Sequence, residues 1–254
     1  MSCKIFYLHI GRTGGTYLGS QLEDFFEQEV TCNTNKPENQ GFDIDDIENV
    51  RKYRLIFGHH NRSIFVDQQR KKRYCDWIKI FTFRKPFSIA RSAYFGYLNN
   101  IRQKLGLEQE GAEADLSHFE RSEMTWRFFN HICGPRRYIE WLSETREGFD
   151  RLHYGGILDS LDYYTYAIET ENIDKFCRFL NIRHKKRLTV REWAQNGNVN
   201  KNRFGWGAEY GKGLIEHFNE YESFFYQTFP DSINIYNMFQ EKEKDWAEYF
   251  LKSE

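Results

Sequence analysis

No apolar run in this chain approaches the roughly 20 residues that a membrane-spanning helix needs, and no basic-then-apolar leader precedes its first apolar stretch. A complete, soluble, cytoplasmic chain is the resulting expectation. Proline is scarce, at 4 residues, and no Pro/Ser-rich linker, low-complexity tract or internal repeat divides the 254 residues. One α/β domain over 1–254 follows, long enough to bury a real core. Neither charge sign prevails: 36 Lys+Arg against 37 Asp+Glu leave a net charge of -1. That balance argues against a general nucleic-acid or anionic-membrane binder. The five cysteines (Cys3, Cys32, Cys75, Cys133, Cys177) are odd in number and lack metal-ligand spacing. Neither a disulfide framework nor a zinc site is expected, and a reducing compartment suits them.

What the chain does have is aromatic mass, 18% of its residues, so Phe and Tyr should fill much of the core. Residues 4–10, 54–57, 77–83 and 163–168 read as buried strands. Apolar residues at helical spacing mark helices over 17–30, 87–98, 125–144, 173–180, 214–229 and 232–251. Residues 32–46 read as a polar loop, 99–123 as a charged excursion, and 190–213 as a basic, aromatic loop. Strands alternating with helices imply a mainly parallel central sheet flanked by helices, with its crevice beyond the strands' carboxyl ends. Two basic clusters, Arg70–Arg73 and Arg183–Arg187, are solvated surface in the simpler reading and anion contacts in the other.

The opening run Ile5-Phe6-Tyr7-Leu8-His9-Ile10-Gly11-Arg12-Thr13-Gly14-Gly15-Thr16 passes from an apolar strand into a Gly-rich turn bearing hydroxyls and one cation. Such a turn suits a phosphate, because glycines let backbone N–H groups approach its oxygens and the next helix aims its positive end there. An ATP-type loop would place Lys after the last glycine. Here Thr16 follows Gly15, the cation Arg12 lies upstream, and no metal-binding strand-end Asp is evident. A kinase or ATPase is disfavoured.

A second motif, Ile80-Phe81-Thr82-Phe83-Arg84-Lys85-Pro86, places Arg84 at a strand end and Ser92 eight residues later on the next helix. With the first loop, this resembles the carbohydrate sulfotransferases of the heparan and chondroitin type. The resemblance implies a P-loop-NTPase-like sulfotransferase fold and the donor 3′-phosphoadenosine 5′-phosphosulfate (PAPS), with 3′-phosphoadenosine 5′-phosphate (PAP) as product. It assigns Arg12, Thr13, Gly14, Gly15 and Thr16 to the 5′-phosphosulfate, and Arg84 and Ser92 to the 3′-phosphate. The family loop carries Pro and Lys where this chain has Gly11 and Arg12. Arginine keeps the charge but is a poor proton donor, so charge stabilisation is the role left to it. Weaker echoes of the family lie at 130–138, 166–180, 198–203 and 230–237.

Gly58-His59-His60 follows a strand at the same sheet edge. An acceptor hydroxyl must lose its proton as it attacks sulfur, and neutral His suits that task. The resemblance points to His59 as the base; His60 is the alternative. His9 is expected to be a packed core residue, and Glu169 and Glu171 strand-end surface groups. Lys201 or Arg203 would contact phosphate from a late loop. The arrangement calls for no metal. An acceptor hydroxyl on a saccharide is the implied partner, and a catalytically inactive PAP-binding scaffold is the competing class.

Overall fold

The computed structural model describes residues 3–26, 30–39, 41–58, 68–89, 91–92, 161–184, 219, 222–228 and 231–252. Its strands are β1 (Ile5–Leu8), β2 (Thr31–Asn33), β3 (Leu55–Gly58), β4 (Ile78–Phe83) and β5 (Tyr166–Glu169). All pair in parallel, in the order β2-β3-β1-β4-β5. Helices are α1 (Gly15–Phe26), α2 (Ile47–Arg51), α3 (Gln68–Arg73), α4 (Ile173–His184), α5 (Glu222–Thr228) and α6 (Asp231–Leu251). The expected α/β class with a parallel sheet is therefore present.

Strands buried on both faces read as continuous apolar runs, and β1 is buried at all four positions. Alternation sends Ile5, Tyr7, Leu55, Phe57 and Ile80 to one face, where Leu18, Leu22, Phe25 and Phe26 of α1 meet Phe176 and Phe179 of α4. Phe6, Leu8, Ile56, Phe81 and Phe83 point to the other, against Tyr74, Trp77 and Phe239. The core is as aromatic as the composition predicts. Edge-on ring contacts such as Phe81–Phe239, with centroids 5.0 Å apart, recur through it, each adding about 0.5–1.5 kcal/mol beyond area burial.

Helix α6 packs along β5. The Trp246 indole Nε1 donates to the Ala167 carbonyl at 2.8 Å, and the Glu169 N–H donates to Glu243 Oε1 at 2.8 Å. The Tyr236 hydroxyl also donates to the Glu169 side chain.

Several expectations are corrected. Residues 31–33 form a strand where a loop from 32 was expected; β2 is short, polar and at the sheet's margin, so no alternation betrays it. The segment expected as a strand from 163 opens instead with a 3-10 turn at Leu161–Tyr163, and β5 begins at Tyr166. Helix α1 starts at Gly15, inside the glycine turn, rather than at 17. Helices α2 and α3 were not expected. The former is capped by Asp46, whose Oδ1 accepts the Asn49 N–H at 3.1 Å. In the basic cluster on α3, Arg70 and Arg73 both pair with Asp45, and Lys72 is exposed. Lys71 is buried with its Nζ 3.7 Å from the Tyr163 ring. In the second cluster, Arg183 donates to the Tyr166 hydroxyl at 2.5 Å and His184 lies 3.5 Å from Cys3 Sγ. Segments 99–123, 125–144 and 190–213 lie outside the described residues.

Candidate functional site

The central strand β1 has β3 on one side and β4 on the other. The chain leaves β1 toward β2 on one flank, and β5 lies beyond β4 on the opposite flank. The carboxyl ends of β1 and β4 thus flank the topological switch point, where open α/β sheets form their ligand crevice. Both motifs singled out from the sequence sit there.

The turn after β1 is built by backbone hand. Arg12 has φ 67° and Gly14 φ 75°, whereas Thr13 and Gly15 are not in the positive-φ region. This alternation of sign from 12 to 15 is the geometry that turns successive N–H groups toward one point, an anion nest. Gly14 immediately precedes α1, and its carbonyl accepts the N–H of Tyr17 at 3.0 Å and of Leu18 at 3.1 Å. The N–H groups of Gly15 and Thr16 belong to the first helical turn, which leaves them without intrahelical acceptors. Thr16 and Arg12 are exposed.

Gly15 packs closely against the His9 ring. A Cβ there would lie 1.7 Å from His9 Cδ2 and 2.2 Å from His9 Nε2. His9 is buried, its ring stacked on Tyr7 at 6.1 Å and its N–H donated to Gly58 O at 2.9 Å. It is a packed residue beneath the turn, as its strand position implied.

Thr13 is buried, and its hydroxyl faces inward. Oγ1 donates to Ile10 O at 2.7 Å and lies 2.7 Å from Thr82 Oγ1. Thr82 in turn is 3.1 Å from the Tyr7 hydroxyl, whose phenol burial holds well above the ordinary range. The Thr13 hydroxyl, read from sequence as a phosphate contact, therefore fastens the turn to β4. Sequence reasoning missed Thr82. Its signal was a hydroxyl in the otherwise apolar run Ile80-Phe81-Thr82-Phe83.

Arg84 follows β4 directly. Its Nε is buried and makes no hydrogen bond among the described residues, although Glu171 Oε1 lies 3.5 Å away. Ser92 is half-buried on the helical residues 86–89 and 91–92. Glu169 accepts from Tyr236 and Glu171 faces Arg84, so both carboxylates are engaged with neighbours.

Strand β3 ends at Gly58, with φ +149°, where a Cβ would meet Thr34 Oγ1 at 2.1 Å. The chain passes from there to His59 and His60, which lie outside the described residues, as do Lys201 and Arg203. Arg12, Thr13, Gly14, Gly15 and Thr16 are thus together at one strand end, and Arg84 and Ser92 follow the adjacent strand. No helix of the described residues is long and apolar enough to cross a membrane. No family model, curated protein or solved structure matches the chain.

Proposed function

We propose that the chain is a PAPS-dependent sulfotransferase of P-loop-like architecture, acting on an acceptor hydroxyl, with a saccharide as the implied acceptor class. The observation that carries this reading is the alternating backbone hand of residues 12–15 at the end of β1, next to a strand that ends in an arginine whose buried Nε lacks a hydrogen bond. Both features suit phosphate groups at two ends of one nucleotide. The donor's chemistry is an activated sulfuryl group on a phosphate leaving group.

The chain's own residues divide the work. The N–H groups of residues 13–16 would hold the 5′-phosphate, and Arg84 with Ser92 the 3′-phosphate. Arg12 is exposed in the turn and would neutralise charge on the departing phosphate; electrostatic help of this kind often dominates transfer catalysis. His59, immediately beyond β3, would take the acceptor proton. A non-Gly residue held at φ 67° costs stability, and strained backbone of this kind clusters at functional sites. The strained Arg12 thus supports a ligand site at this turn.

Calorimetric titration with PAP, alongside ADP and adenosine 5′-phosphosulfate, tests the reading. Tight PAP binding with weak response to the others is expected. Equal binding of all three would overturn it. PAP binding without sulfuryl transfer to any hydroxyl acceptor would leave the scaffold alternative standing.

A further inference from the structure

At the opposite end of the sheet from the glycine turn, a nucleophile stands beside a base. Cys3 lies just ahead of β1, at the amino ends of the strands, away from the crevice beyond their carboxyl ends. His184 closes α4, and its Nε2 is 3.5 Å from Cys3 Sγ across 181 residues of sequence. Both residues are half-buried. The Phe25 ring of α1 meets the imidazole edge-on, with centroids 6.1 Å apart, and backs it on one side.

The surroundings favour the ionised form of this pair. The last carbonyls of a helix attract a cation, so the end of α4 favours imidazolium at His184. An imidazolium in contact with sulfur favours thiolate, the form that attacks. Arg54, leading into β3, adds positive charge, because its Nε donates to the Cys3 carbonyl at 3.4 Å. Lys4 follows Cys3, with its Nζ 5.4 Å from the Trp77 ring. Arg183, the neighbour of His184, donates to the Tyr166 hydroxyl at 2.5 Å. The Asp245 carboxylate of α6, whose field reaches Tyr166 as that of Cys3 does, is paired with Lys242 at 3.0 Å.

The other described cysteines differ. Burial pushes the Cys32 and Cys177 thiols up, to about 11 and about 12. Cys75 is exposed, with Asp76 beside it in sequence.

We propose that Cys3 and His184 form a thiol-modification site that takes up a small-molecule disulfide such as oxidised glutathione. The Cys3 sulfur bonds to one glutathione sulfur as the S–S bond breaks. The second glutathione leaves as its thiolate and takes the proton that His184 received from Cys3. Cys3 is oxidised and the departing glutathione reduced, so no further reactant is needed. The mixed disulfide replaces a contact that ties the start of β1 to the end of α4.

Peptide mass spectrometry of the full chain treated with oxidised glutathione reads the rate at each cysteine. At pH 6.5 an ordinary thiol is only about 1% thiolate. Cys3 should there react at least about tenfold faster than the more exposed Cys75, even though a more acidic thiolate is a weaker nucleophile. That lead should narrow by about pH 8.5, where an ordinary thiol is half ionised. His184→Gln should slow Cys3 about tenfold at pH 6.5, and leave Cys75 within about twofold of wild type. A wild-type Cys3 no faster than Cys75 at pH 6.5 would overturn the proposal, whatever the substitution does to folding. An unslowed Cys3 in His184→Gln would overturn it as well. Neither result touches the sulfotransferase reading.

Discussion

Thr13 and Thr82 meet hydroxyl to hydroxyl at 2.7 Å across 69 residues of sequence, joining the turn after β1 to the strand that delivers Arg84. With Tyr7 at one end and the Ile10 carbonyl at the other, the chain of bonds is Tyr7–Thr82–Thr13–Ile10. A hydroxyl network in a dry interior fixes geometry because each member left alone is costly.

Thr82→Val should therefore destabilise the fold by about 1–3 kcal/mol, since the buried Tyr7 phenol loses its partner. Urea denaturation of Thr82→Val, Thr13→Val and the double variant measures the coupling. An interaction energy of about 0.5 kcal/mol or more is expected for groups in one network; strict additivity would show that the contact carries no energy.

Gly15→Ala drives a methyl into the His9 ring, whose nearest atom would be 1.7 Å away. Overpacking of this kind costs about 1–3 kcal/mol, and PAP affinity should fall with it. His9→Ala in the same chain opens the space, so the double variant should be more stable than the sum of the singles. If the two effects simply add, the His9–Gly15 contact is not what limits the site.

Arg12→Gly removes both a charge and a left-handed backbone penalty of about 1–2 kcal/mol. Thermal denaturation should show a gain in stability while sulfuryl transfer falls. Arg12→Lys should retain most of the turnover, because charge is kept. Equal turnover in Arg12→Lys and Arg12→Gly would show that the charge is not catalytic.

His59→Ala should lower turnover about 10²–10⁴-fold, the usual contribution of a positioned base, and leave PAP binding near wild type. Full activity would move the base elsewhere, with His60→Ala as the next variant.

Glu243 is buried, and burial pushes its carboxyl up to about 7 despite the bonds it accepts from the Glu169 N–H and Asn172; Glu169 adds to the rise and Lys175 opposes it. Between its ordinary value and about 7 the folded chain holds the extra proton. Stability should then fall as pH rises through that window, by on the order of 3 kcal/mol at most, and level off above it. Glu243→Gln should flatten this dependence in denaturation curves taken from pH 5 to 8. An unchanged slope would locate the titration at another group.

The sequence disclosed those parts of the fold that repeat. β1 shows as an unbroken apolar run and β4 as one interrupted only by Lys79 and Thr82, because both faces of each are covered, and Ile173, Phe176, Cys177 and Leu180 mark α4 by spacing alone. β2 has three residues with only Cys32 buried, and such a segment carries no period to detect. In the site, glycines and arginines were legible as residue types. That the Thr13 hydroxyl turns inward was not, because its partner Thr82 is fixed by parallel strand register rather than by nearby sequence. The basic run on α3 read in the simpler view as solvated surface, yet Arg70 and Arg73 pair with Asp45 and Lys71 sits over the Tyr163 ring through tertiary contacts.

The two bonds that α6 makes to β5 bear on how this molecule coexists with its own copies. Among the described residues β5 ends the strand order, and a terminal strand exposes alternate N–H and C=O groups as a template for a stranger's backbone. Here the Ala167 carbonyl is taken by the Trp246 indole and the Glu169 amide by the Glu243 carboxylate, so side chains from the same polypeptide occupy the row before a second chain reaches it. The carboxyl-terminal helix is a selvedge to the sheet. A chain shortened ahead of Glu243 would lose part of its core and also gain an adhesive margin, failing by association with its neighbours as much as by unfolding.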